Sequence, residues 1–233
     1  MRTLRESLGA LAVLVGLTAL SAPDAYAQDI DTFKPSGSHY AGWGSLQLHH
    51  PEIGLKGGFY GGVGLAYADH PLVLLGGDGE ETTIVRNQLS TRVSAGYNIA
   101  GRVRADLEFP LYPVVGLGDT DPAEFSLGDL RASATLPLLR YDPSAEGESG
   151  VGVALVPYVH FPTGDPALFT SSGAVGGGLV ASVGGRVGAI GWTTNAGVDF
   201  EQATKIGGTA DQGTSFDVGA GVHYYLNPEY LIG

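Results

Sequence analysis

Eight segments of this chain alternate apolar and polar residues at period two, and this pattern limits the fold more than any other feature. They span 58–68, 83–97, 102–112, 127–139, 151–161, 174–186, 189–200 and 215–226, with turn-forming clusters between them. Strict alternation makes a strand with two unlike faces. At about 11 to 15 residues these segments exceed the roughly 5–6 usual in soluble sheets. They match the roughly 9–11 residues that a tilted strand needs to cross a bilayer. We therefore expect an all-β fold, an antiparallel up-and-down transmembrane β-barrel with at least eight strands. No helical periodicity, linker or second domain interrupts residues 58–233.

The two faces differ in chemistry. In 102–112, Val103, Ala105, Leu107, Phe109 and Leu111 oppose Arg102, Arg104, Asp106 and Glu108. In 83–97, Val85, Leu89, Val93, Ala95 and Tyr97 oppose Arg86, Gln88, Ser90, Arg92 and Ser94. A sandwich would turn the apolar face to its core, whereas a barrel turns it to lipid and lines its lumen with the polar one. Three features favour the barrel. Aromatics at strand ends suit an interfacial girdle: Phe59, Tyr67, Tyr97, Phe109, Phe161, Trp192, Phe200, Phe216 and Tyr224. The inward face is rich in glycine, including Gly176, Gly178 and Gly184. Short connections alternate with long, polar ones, as periplasmic turns do with outer loops.

The expected lumen-facing set is Arg86, Arg92, Arg102, Arg104, Asp106, Glu108, Asp129, Arg131, His160, Arg186, Asp199 and Asp217. A turn centred on Ala100 would place Arg92 opposite Glu108. The segment "VALVPYVHFPTGD" puts Tyr158 and His160 inward, with a bulge or weak pairing at Pro157 and a turn at Pro162–Asp165. His160 with Ser133 and Asp129 would make a hydrolase only if all three converged, and a histidine lining the lumen is the simpler expectation. We expect no enzyme, no cofactor and no metal: no histidine or cysteine cluster suits zinc or haem. The acidic loop "GDTDPAEF" lacks an ordered ligand series for a cation.

The N-terminus sets the compartment. Arg2 and Arg5 precede the 13 apolar residues Leu8–Leu20, and Ala25-Tyr26-Ala27 follows. This pattern is a secretory signal peptide over 1–27, followed by a periplasmic segment over 28–57 in which 43–48 is a possible short strand. The expected location is the bacterial outer membrane, in contact with its lipid and lipopolysaccharide. A formal net charge of −12 argues against nucleic acid, and with no cysteine the chain forms no disulfide.

Five stretches, "DIDTFKPS", "YADHPLVL", "VRNQLSTRVSAGYNIAGRVRADLEFPLY", "LGDLRASATLPLL" and "HFPTGD", together resemble the N-terminal barrel of OmpA-family proteins of the myxobacterial type. "LGDLR" and "PTGD" also resemble the outer-membrane proteins grouped with the meta-pathway of phenol degradation. The resemblance implies a barrel of about twelve strands, often followed by a peptidoglycan-binding domain. With eight strands and an Ile-Gly ending, the chain is expected to be a fragment of such a barrel. The expected function is a passive porin-like channel or a structural envelope anchor. The alternatives are a transporter for hydrophobic small molecules, a non-conducting eight-stranded barrel and a soluble adhesive sandwich.

Overall fold

The computed structural model describes residues 48–51, 53, 57–75, 80–118, 122–140, 150–188, 190–201, 204–206 and 210–224. The expected signal peptide over 1–27 and residues 28–47, with most of the possible short strand 43–48, lie outside these. The strands are β1 (Gly58–Leu75), β2 (Glu81–Ile99), β3 (Val103–Leu117), β4 (Glu124–Leu127), β5 (Leu130–Leu139), β6 (Gly150–Phe161), β7 (Gly176–Val187), β8 (Ile190–Phe200), β9 (Thr204–Ile206), β10 (Ala210–Gln212) and β11 (Ser215–Tyr224). One antiparallel sheet runs in the order β1-β2-β3-β5-β6-β7-β8-β11, with β4 folded back onto β3. Each long strand pairs with its sequence neighbour, giving an up-and-down meander curled into a half-barrel. All eight alternating segments are strands of this sheet. β9 and β10 form a separate small hairpin within what the sequence presents as a polar loop.

A single curled sheet can bury side chains only on the face it curls around, and here that face is mostly polar, with Ala154 and Val156 of β6 among its apolar members. Leu107 is 53% exposed, while Asp106 and Glu108 on either side of it are each 6% exposed. Val151, Val187 and Ile190 are likewise exposed, whereas Ser182, Thr193 and Asn195 are buried. This arrangement inverts the usual order of a water-soluble domain.

The tight turn between β2 and β3 has two central residues, Ala100 (φ 50°) and Gly101 (φ 64°), both left-handed. It closes with Arg102 N–H donating to the Ile99 carbonyl at 2.9 Å. Positive φ at both positions matches the strand twist. Arg102, expected on the inward face, instead sits exposed in this turn because the strand begins only at Val103.

β1, β2 and β3 reach 18, 19 and 15 residues, running past the sheet's other strands at the end away from this turn. There the registers shift, between Val85 and Asn87 and again between Leu89 and Thr91. One extra residue flips the faces of all that follow. Val85, expected on the outward face, is therefore fully buried with Tyr112, Val115 and Leu168 in a small apolar cluster. Of the bulge or weak pairing expected at Pro157, the structure shows the weak pairing. The β5–β6 ladder simply skips from Ser133↔Tyr158 to Leu136↔Leu155 in unchanged register.

Candidate functional site

The buried polar face forms three tiers. Nearest the Ala100 turn, Arg104 is fully buried: its Nε donates to Asp106 Oδ2 at 3.1 Å, and Nη2 donates to Thr135 Oγ1 at 3.0 Å. The Tyr60 ring lies 5.8 Å from its guanidinium carbon. In the middle tier Arg92 Nη1 pairs with Glu108 Oε1, both side chains buried. The Arg131 guanidinium lies 3.7 Å from the Tyr158 ring centroid, a close cation–π contact.

The third tier is the end carrying the long connections, where two sequence motifs 35 residues apart interlock. Thr163 Oγ1 donates to the Gly128 carbonyl at 2.6 Å and accepts from Leu130 N–H at 2.9 Å. Asp129 Oδ1 accepts from Gly164 N–H at 3.2 Å, and Oδ2 accepts from the Ser172 N–H and hydroxyl. Asp165 caps the 3-10 turn Pro166–Leu168 that inserts Leu168 into the apolar cluster. A Cβ on Gly164 would stand 2.5 Å from the Thr170 carbonyl oxygen, so only glycine fits there. The motifs "LGDL" and "PTGD" thus fasten the β6–β7 loop across one mouth of the half-barrel.

Asp129 is therefore directed at the loop and not at His160. Ser133 pairs with Tyr158 while His160 pairs with Arg131, so the three hydrolase candidates do not form a nucleophile–base–acid relay. Of the other expected inward residues, Arg86 is half-buried at the β2 register shift. Arg186 is half-buried, and its Nε donates to the Gly188 carbonyl. Asp217 is exposed on the edge strand β11.

The alternation does not show that part of the segment before β1 enters the half-barrel. His49, His50, Pro51 and Ile53 are all buried. The His49 carbonyl accepts from Ser182 Oγ and from Asn195 Nδ2 (2.8 Å), and His49 N–H donates to Asn195 Oδ1 at 2.6 Å. Asn98 Nδ2 donates to the Ile53 carbonyl, while its Oδ1 accepts from Gly101 N–H. Leu48 packs where a side chain on Gly219 would stand. Loss of water on burial, then the charges of Arg131 and Arg104, hold the His49 imidazole well below its usual pKa. The sequence signals for this docking were Asn98, Ser182 and Asn195 at inward positions, polar residues that need backbone partners once buried.

The aromatics fall into two levels on the exposed face. Phe59 and Tyr97, with ring centroids 4.4 Å apart, stand at the tight-turn end with half-buried Trp192. Phe161, Phe200 and Phe216 are exposed at the loop end. Trp192 and Phe200 lie eight positions apart on β8, about 26 Å along a strand. Tyr67 is exposed further along β1, Phe109 is half-buried, and the Tyr224 side chain lies outside the described part. Exposed Phe125 on β4 joins the loop-end aromatics.

No family model matches the chain, and neither a curated protein nor a solved structure does.

Proposed function

We propose that the chain is a bacterial outer-membrane β-barrel protein, exported by its N-terminal signal, acting as a structural envelope barrel with at most a narrow polar passage. The inverted sidedness carries this reading: exposed Leu107 against buried Asp106 and Glu108 on β3, and exposed Val187 and Ile190 against buried Ser182, Thr193 and Asn195 on β7 and β8. In lipid the apolar face is the solvated one, and every backbone polar group must be paired. A strand tilt of about 35–45° reduces the spacing of the two aromatic levels to about 20 Å along the membrane normal, comparable to an apolar band about 25 Å tall. The resemblance of the quoted motifs to OmpA-family barrels supports the same class. It also implies about twelve strands, which would pair the sheet edges β1 and β11 that lipid cannot satisfy.

Buried ion pairs and the docked His49–Ile53 stretch favour a filled interior over an open porin. The polar inner face also disfavours a carrier of hydrophobic molecules. The test is planar-bilayer conductance of the mature chain refolded in detergent, alongside its heat-modifiable gel migration. Heat-modifiable protein with little or no conductance is expected. Large stable conductance steps would restore the porin reading, and a chain soluble and folded without detergent would end the membrane one.

A further inference from the structure

We propose that His160, Asp199 and Glu201 form a binding site for one divalent transition-metal ion of the zinc class, on the inner face at the loop end. One ligand atom from each lies within 4.8 Å of the other two, close enough for small side-chain adjustments to bring all three onto one ion, whose bonds measure about 2.0–2.2 Å. The residues border a cavity of about 30 Å³, room for one ion with a coordinated water.

A second observation points to a ligand. Asp199 is 8% exposed, and although the Tyr158 hydroxyl hydrogen-bonds its carboxylate, Oδ1 has no hydrogen-bond partner. A buried carboxylate oxygen left so is costly, and a cation in the cavity would satisfy it. Of the two arginines bordering the cavity, Arg92 forms the ion pair with Glu108 and Arg131 lies over the Tyr158 ring.

The backbone explains how residues from different strands converge. β7 lies between β6 and β8, pairing Gly176 with His160 and Gly178 with Asp199. A Cβ on Gly176 would stand 2.1 Å from His160 Nε2, and one on Gly178 would stand 2.5 Å from the Tyr158 hydroxyl oxygen. The bare floor of the middle strand lets the imidazole lie across it. One imidazole with two carboxylates suits Zn²⁺, Mn²⁺ or Fe²⁺ better than Mg²⁺ or Ca²⁺, which take oxygen alone.

The inference holds whether or not the barrel conducts. Calorimetric titration of the refolded full chain with Zn²⁺ at pH 7.5 should show one ion per chain, with weaker binding at pH 5.5 as the imidazole protonates. Glu201→Gln, which lies beyond the strand end and should leave folding intact, and His160→Ala should each weaken binding about tenfold or more. Gly176→Ala should do the same without removing a ligand. No Zn²⁺ binding by the wild type would overturn the site. So would equal binding by folded Glu201→Gln and His160→Ala, which would place the ion on other histidines. Mg²⁺ binding as tight as Zn²⁺ would overturn the metal class.

Discussion

Arg92 and Glu108 meet diagonally across β2 and β3: Arg92 lies opposite Pro110 and Glu108 opposite Ser94, yet the two side chains form a buried ion pair. A turn centred on Ala100 would have put them face to face. The ladder instead closes at Ile99 and Val103, so the loop holds Ala100, Gly101 and Arg102 and is centred on Gly101, which moves the register by two residues and keeps both side chains inward. Diagonal neighbours in an antiparallel pair are about 7–8 Å apart at Cα, which long side chains span.

Removing one partner of this pair leaves a buried charge uncompensated. Arg92→Ala or Glu108→Ala should destabilise the folded barrel by about 3–5 kcal/mol. The double change Arg92→Met with Glu108→Leu should cost much less, since no charge is stranded. Urea unfolding of refolded protein, followed by tryptophan fluorescence, measures both, and equal losses from the single and double changes would refute the coupling.

Ala100 holds a left-handed conformation that L-residues with a Cβ adopt at a cost of about 1–2 kcal/mol. Ala100→Asn, suited to this turn position, should stabilise by about 0.5–1 kcal/mol. Ala100→Val should destabilise. The midpoint of the same urea titration reports both signs.

Asp129 organises the β6–β7 loop through Gly164 and Ser172, and no other strand depends on those bonds. Asp129→Ala and Gly164→Val should therefore release this loop selectively. Limited proteolysis should cut within 162–175 while the rest of the sheet stays resistant. Loss of the whole barrel's heat-modifiable migration would show that the loop supports the fold globally.

The docked His49 is neutral when packed, because burial and the two nearby arginines disfavour its charged form. Its released form titrates near the ordinary 6.5. Docking is thus fully stable above that pH and weakens as the pH falls below it. Ile53→Cys, in a chain with no native cysteine, should be slow to label with maleimide at pH 7.5 and more accessible at pH 5.5. The comparison is corrected for thiolate reactivity with unfolded protein. His49→Asn should flatten the pH dependence, and a persisting dependence would point to the adjacent buried His50.

The period-two pattern was enough to place eight strands, because alternating polarity is a local property that each strand carries whatever it pairs with. The same parity placed Asp106, Glu108, Arg92 and His160 on one face. It failed where the count itself changes. The extra residue near Val85 turns that side chain into an apolar cluster, and the turn at Ala100–Gly101 leaves Arg102 outside the strand. Glu201 was missed because it lies one step past β8, although the alternation continued by two from Asp199 reaches it.

What the sequence alone determined is the all-β, up-and-down meander and the chemistry of its two faces, since neither needs long-range information. Only the tertiary structure decided that His49–Ile53 docks within the curl, that "LGDL" clasps "PTGD", and that His160 meets Asp199 and Glu201 across a glycine floor. Those relationships join residues 35 to 146 positions apart. They depend on register, bulges and curvature, which arise when the strands assemble.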